Sequence, residues 1–278
     1  MRSEMVKSPL TESWALIQKE WKSILWGLVK IDLLAAGALV LGVLIAILAG
    51  FLLSGVSVLA AVILMALIAI PFIFIIQAIS SIAYNFIDAK WSKKKLSFSD
   101  TFQENLLPMT GYTLVIFLIR ALVVLPFLVL FFVAVLGAGE GLAATLAEVL
   151  FRIVISIALA IVDLFLQFAV FEILISRSGV LSGFGKSYAL VRKNFYETAV
   201  FSFVLWVIGV AISVPFIILI VALLFLGMLG LAVPGIGLVI MAFVGVILIA
   251  LALLLNAATT AITITSQYRF WGKARVRG

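Results

Sequence analysis

Apolar and polar positions alternate along this chain in long blocks, and the blocks set its architecture. Six apolar runs, at about 24–53, 57–87, 109–137, 143–176, 198–232 and 234–267, reach or exceed the roughly 20 residues that a helix needs to cross a bilayer. Between them stand SGVS at 54–57, a basic stretch around WSKKK at 91–95, GAGEG at 137–141, the segment after SRSG at 176–179, and Pro234-Gly235. Several runs exceed the minimum, which predicts tilt or extension beyond the hydrocarbon. The pattern predicts an all-α fold: a polytopic membrane bundle of six transmembrane helices in one membrane domain spanning 1–278.

The connections differ in charge. The tail through Lys22 carries Arg2, Lys7, Lys19 and Lys22, and the second connection carries Lys90, Lys93, Lys94 and Lys95. The fourth has Arg177, Lys186, Arg192 and Lys193, and the C-terminus has Arg269, Lys273, Arg275 and Arg277. The first, third and fifth connections have no lysine or arginine. Basic loops stay on the cytoplasmic side, so both termini are expected there, with the three tight turns outside. The expected location is the cell membrane, multi-pass.

Composition agrees. Hydrophobic residues make up 66% of the chain and charged residues 11%, with a mean hydropathy of +1.38. A soluble domain of this size needs more polar surface. The net charge of +7 follows from the basic connections, and a nucleic-acid partner is not expected. With no cysteine and no histidine, disulfides, thiolate metal sites and imidazole chemistry are excluded. About twenty amphipathic residues precede the first run, unlike a secretory signal.

A motif recurs ahead of the apolar runs. Residues 184–195, FGKSYALVRKNF, overlie residues 10–21, LTESWALIQKEW, pairing Ser13 with Ser187, Trp14 with Tyr188, Ala15 with Ala189, Leu16 with Leu190, Lys19 with Lys193 and Trp21 with Phe195. A weaker copy, FSDTFQEN, starts at Phe98 with Phe102 at the aromatic position, so the copies begin 88 and 86 residues apart. Apolar residues recur at i, i+4, i+7 and i+11: Leu10, Trp14, Ile17, Trp21, then Phe184, Tyr188, Val191, Phe195. That spacing lays an aromatic stripe along one helix face. Such a helix either lies in the cytoplasmic headgroup layer, its lysines toward anionic lipid, or packs on the end of the bundle. Arg192 and Lys193 belong to this set of interfacial positions. Ser8-Pro9 reads as an N-cap followed by proline at the first helical position. Three repeats result, at about 9–90, 97–177 and 184–268, each an interfacial amphipathic helix plus a transmembrane hairpin. Leu125-Pro126-Phe127-Leu128 and Val214-Pro215-Phe216-Ile217 resemble one another in the third and fifth spans; Ile70-Pro71-Phe72-Ile73 is similar but runs the other way. Mid-helix proline bends a helix, which serves packing or opens a cavity.

Polar residues inside the spans are the candidate functional positions. Arg120 lies about 18 Å along the third helix from Pro108, and Asp163 about 21 Å from Arg177 along the fourth. Adjacent antiparallel helices bring them to one depth, predicting an Arg120–Asp163 contact that either pins the helices or serves transport. Glu148 and Arg152 have the i,i+4 spacing of a structural pair. Lys30, Asp32 and Glu172 stand near the cytoplasmic ends. The sixth helix carries Asn256, Thr259, Thr260, Thr263 and Gln267 at helical spacing. Gln77, Ser81 and Asn85, with Gln167, are expected to face that stripe, either around a cavity open to the cytoplasm or as hydrogen-bonded helix contacts.

No phosphate loop, dinucleotide fingerprint, zinc motif or catalytic triad is present, and GAGEG reads as an external turn. The chain is not expected to be an enzyme or to use a cofactor. The cytoplasmic pattern, LSFSDTF at 96–102 and GVLSGFGKSYALVRKNF at 179–195, resembles the poorly characterised six-helix proteins grouped with the glycerophosphodiester phosphodiesterase membrane domain. Ser187, Tyr188, Arg192 and Asn194 are the best matches. The resemblance implies a membrane-embedded helper or lipid-facing module; without a soluble domain the phosphodiesterase activity does not transfer. The expected function is a non-enzymatic membrane protein that shapes or senses the cytoplasmic leaflet, or scaffolds partners, with anionic lipid headgroups as its ligands. The alternatives are a small transporter or channel around Arg120 and Asp163, and an assembly partner of other membrane proteins.

Overall fold

A computed structural model describes residues 2–54, 58–138, 142–231 and 237–276; the turns expected at SGVS, GAGEG and Pro234-Gly235 fall wholly or largely outside them. Among the described residues every regular element is a helix: α1 (Arg2–Ser54), α2 (Val58–Ser92), α3 (Phe98–Ala138), α4 (Leu142–Leu166), α5 (Ala169–Leu174), α6 (Val180–Lys193), α7 (Phe195–Leu231) and α8 (Gly237–Val276). Six stretches are long and apolar enough to cross a bilayer: Glu4–Phe51, Val58–Ser92, Phe98–Val133, Glu148–Leu174, Phe195–Phe225 and Ala242–Val276. The all-α, six-span reading therefore stands. Consecutive spans pair as α1 with α2, α3 with α4 and α7 with α8, while α8 returns to α1 and α3 touches α2.

The buried residues gather at one end, where the lysines and arginines other than Arg120 and Arg152 also lie. Ile24, Leu28 and Ile31 of α1 meet Ile82, Phe86 and Ile87 of α2, Phe168 and Phe171 after α4, Val191 of α6, Phe201 of α7, and Phe270 and Trp271 of α8. Phe270 stacks between Phe168 and Phe201, with ring centroids 5.7 and 4.4 Å away. Away from this basic end the apolar side chains are mostly exposed, as at Leu44, Ile47, Leu59, Leu122, Leu130, Ile218 and Ile249. Hydrocarbon solvates such side chains as well as a neighbouring helix does, so they need no partner.

Four local expectations change. Ser8 is not an N-cap: α1 already begins at Arg2 and includes Pro9, because Met5 and Val6 pack against the core and carry the helix back past the proline. Second, no separate helix precedes the third span. Ser97 opens α3 by accepting the Asp100 N–H at 3.5 Å, and the helix continues through Pro108 and Pro126. Asn105 holds that first segment along α2 by donating to Ser81 Oγ at 2.8 Å and Asn85 Oδ1 at 3.0 Å. The first and third amphipathic segments are set off, by Glu20 (φ −118°, ψ 20°) within α1 and by Asn194 (φ −115°, ψ 38°) between α6 and α7.

Third, the fourth apolar run is not one helix. It breaks at Gln167-Phe168, between α4 and α5, where no proline or glycine stands. The cause is a hydroxyl from another element: Ser187 of α6 donates to the Phe165 carbonyl at 2.8 Å and accepts the Phe168 N–H at 3.3 Å. Two backbone groups that an unbroken helix would satisfy internally are thus satisfied from outside. Fourth, the aromatic stripe does not lie wholly in one environment. Phe184 and Val191 are buried, whereas Tyr188 and Phe195 are half-exposed; in α1, Trp14 and Trp21 are each 53% exposed while Ser13 is buried. At 100° per residue the first and eighth stripe positions sit on the core side of the fifth and twelfth, so the stripe straddles the edge of the buried face. Phe98 and Phe102 are half-buried and pack on the core.

Ser187→Ala should therefore destabilise the protein by about 1–3 kcal/mol, since it orphans buried backbone groups. Ser13 Oγ is buried without a partner, so Ser13→Ala should be neutral or stabilising. Denaturation of both variants in one detergent reads the contrast.

Candidate functional site

Three groups of polar side chains are candidates, and the lowest in the bundle is the intramembrane ion pair. Arg120 Nη2 donates to Asp163 Oδ1 at 2.7 Å, joining α3 to α4 at the expected depth. Both side chains are about half-exposed, at 47% and 49%; the pair lies on the surface of the hairpin rather than in a sealed seam. One turn on from Asp163, Gln167 sits in the break and accepts a hydrogen bond from Ser202 Oγ of α7 at 2.9 Å. Glu148 and Arg152 form their own ion pair at 2.5 Å.

The second group surrounds a cavity of about 480 Å³ between the break, α7 and α8. Gln167, Ser202, Thr263 and Gln267 form its polar side, and Trp206 and Val214 stand among its apolar lining. Three of the expected cavity residues thus come together, and Ser202 and Trp206 join them from a helix whose sequence carries no polar stripe. The rest go elsewhere. Asn85 and Ser81 are held by Asn105 of α3, which corrects the expectation that they face the sixth helix. Gln77 is exposed on α2, and Thr260 is half-buried outside the lining. Asn256 bonds the Asp32 carboxylate of α1. Thr259 bonds back to Leu255 and Asn256 carbonyls at 2.9 and 3.0 Å. The cavity is a joint of α4, α7 and α8, and not one between the second and sixth spans.

The third group knots the basic end. Glu12, ahead of the Glu20 kink and outside the length that a bilayer crossing requires, accepts from Arg269 Nε at 2.7 Å and from Ser8 Oγ at 2.7 Å, and also binds Lys273. Burial pushes its carboxyl up, but the hydrogen bonds from Lys273, Ser8 and Arg269 and the Arg269 charge outweigh that and hold it down at about 2. Glu172 of α5 is buried, accepts the Trp271 Nε1–H at 2.9 Å and has Arg275 Nε at 4.0 Å. Arg177 reaches Glu104 at 2.7 Å. Arg192 and Lys193 are exposed at the end of α6. The Glu12 clasp joins residues 257 apart in sequence, and nothing local signals it. Ser187 was findable in principle, since Ser13, Thr101 and Ser187 occupy one register and all three are buried.

Among the described residues no group of histidine, cysteine, aspartate and glutamate side chains is arranged to hold a metal ion. A family model, the domain of unknown function DUF7847, matches residues 27–270. The chain belongs to this family. No curated protein and no solved structure matches it. The DUF7847 match reaches into all six spans; it makes no link to the glycerophosphodiester phosphodiesterase group. In this DUF7847 chain the ion pair, the neutral cavity and the basic clasp stand at successive levels of one bundle.

Two outcomes test the site. Arg120→Asp leaves two carboxylates facing each other in hydrocarbon and should lose about 3 kcal/mol of stability; adding Asp163→Arg should restore it, as read by the yield of monodisperse protein. For Glu12, a value of about 2 against the ordinary 4.5 means that the clasp's contribution is fully present above 4.5 and lost as pH falls through about 2. Spin labels on the start of α1 and the end of α8 should separate only in that window, and Glu12→Gln should loosen them at every pH.

Proposed function

We propose that this protein is a non-enzymatic membrane scaffold built of three repeats, with both termini and the basic end at the cytoplasmic face of the cell membrane. Its role is to organise or sense the lipid of that leaflet, or to seat other membrane proteins there. One observation carries the reading: at the basic end, Trp14, Trp21, Tyr188 and Phe195 stand half-exposed at the edge of the core, the last two stacked on Phe165, beside exposed Lys19, Arg192 and Lys193. Aromatic rings with lysine and arginine neighbours are the side chains that favour the headgroup layer. The repeat reading is supported by register. Glu20, Pro108 and Asn194 stand at the eleventh position of the three copies, and two of these are where the backbone leaves the helical region. The fourth position of each copy is a buried hydroxyl. Cytoplasmic placement of the basic end is supported by the lysine and arginine tally of the connections.

A second reading, a small transporter or channel, is favoured by the cavity of about 480 Å³ beside Gln167 and its nearness to Asp163. The scaffold reading accounts for more of the surface, because the described cavity lining carries no charge.

In nanodiscs containing lipids brominated near the headgroup, fluorescence of Trp14 and Trp21 should be quenched more strongly than with bromine deep in the chains, in variants keeping only those tryptophans. Equal or reversed quenching sinks the lipid-facing reading. Solute flux that Gln167→Ala and Thr263→Val abolish in folded protein would favour the second.

A further inference from the structure

The turn from α2 to α3 contains a residue in an unfavourable backbone state. α2 ends at Ser92, Lys93 adopts φ 54°, and the Lys94 N–H bonds back to the Ala89 carbonyl at 3.0 Å. This helix ending ordinarily places glycine in the left-handed position, because a Cβ there crowds the next carbonyl. Glycine would make the same turn without strain, so the chain path does not require lysine. The negative end of the α2 dipole explains a cation nearby, but not a strained one. Backbone strain of this kind collects at ligand-binding positions.

The turn also walls a cavity of about 370 Å³ between the end of α2 and the start of α3. Lys90, Lys93 and Lys94 line it together with Phe86, Leu96 and Phe98, which supply apolar surface. Lys90 is engaged by Glu20 at 3.0 Å and Ser23 at 2.5 Å, and Glu20 is the lone carboxylate of the lining. Lys93 and Lys94 have no ion-pair partner among the described residues. Two ammonium groups without an ion-pair partner therefore border a small space that Phe98, the first residue of α3 at the positive end of that helix, also lines.

We propose that this notch binds a phosphomonoester carried on a membrane lipid, its phosphate between Lys93 and Lys94 and its glycerol and chain roots against Leu96 and Phe98. A phosphomonoester carries about −1.5 to −2 charges at neutral pH, which matches two free ammonium groups; a phosphodiester, with one charge, would leave one unmatched. The apolar wall and the place of the turn, where two spans leave the bilayer, favour a lipid over free phosphate. The assignment rests on the proposed function, since it needs the basic end at a headgroup layer.

Full-length protein in nanodiscs of phosphatidylcholine with a minor fraction of phosphatidate, read by native mass spectrometry, tests it. Phosphatidate should be retained in preference to phosphatidylcholine and to phosphatidylglycerol. Lys93→Gly and Lys94→Gln should each weaken retention about fivefold or more, and Lys93→Gly should not lower the thermal midpoint, because glycine relieves the strained φ. Retention unchanged in Lys93→Gly overturns the notch. Equal retention of phosphatidylglycerol overturns the monoester assignment, and displacement by equimolar inorganic phosphate overturns the lipid source. Unchanged retention with headgroup-level quenching of Trp14 intact sinks the notch alone. Lysine-dependent retention with that quenching absent sinks the lipid-facing reading alone.

Discussion

Apolar helices already in lipid gain almost nothing by leaving it for one another, and that constraint explains where this protein is solid. Its spans pair two by two, yet away from the basic end most described side chains face outward. Cohesion is concentrated at the basic end. There Phe168, Phe201 and Phe270 stack, Phe171 lies against Trp271 with centroids 5.8 Å apart, and Ile24, Leu28 and Ile87 close around them. Polar interactions follow the same geography. Glu12, Glu172 and Glu104 all find their cations at that end.

The amphipathic stretches ahead of the first and fifth spans pack on the core at this end through Leu10, Leu16 and Ile17 in the first and Leu190 and Val191 in the third copy. Gly183 lies so close to Ile173 that a Cβ would come within 2.5 Å of it. Ser187 reaches past the side chains to the backbone of the fourth span. Close approach at Gly183 and Ser187, together with burial of Phe184 and Val191, positions α6. Tyr188 and Phe195, on the shoulder of the buried face, stack on Phe165 and leave about half of their surface exposed.

What was legible in the sequence depended on range. Span number and placement follow from composition within a window of some 20 residues, so Val58–Ser92 or Phe98–Val133 is readable without any partner. The Arg120–Asp163 contact was legible too, because counting about 1.5 Å per residue from Pro108 and from Arg177 along adjacent antiparallel helices brings the two to one depth. The break at Gln167 was not. Its sequence is ordinary helix, and the hydroxyl that opens it lies about twenty residues away on an element whose docking only the fold decides. The sixth-helix stripe was half legible. Periodicity places Asn256, Thr263 and Gln267 on related faces, but it does not say that Asp32 takes the first and the cavity the other two.

The same asymmetry bears on which polar residues hold the molecule together and which are left for a ligand or partner. Glu12, Asn105 and Ser187 join elements distant in sequence, and each has its hydrogen bonds made within the chain; such groups act as fasteners. Arg120 and Asp163 satisfy each other yet remain half-exposed on the surface of the α3–α4 pair, so they are reachable from outside the bundle. Lys93 and Lys94 go further, since neither side chain has an ion-pair partner among the described residues and Lys93 also holds a left-handed φ. Polar groups in or beside a bilayer carry a desolvation penalty that structure must offset. Where the chain itself supplies no offset, the compensation has to come from lipid, water or a neighbour, and those positions mark where this bundle meets its surroundings.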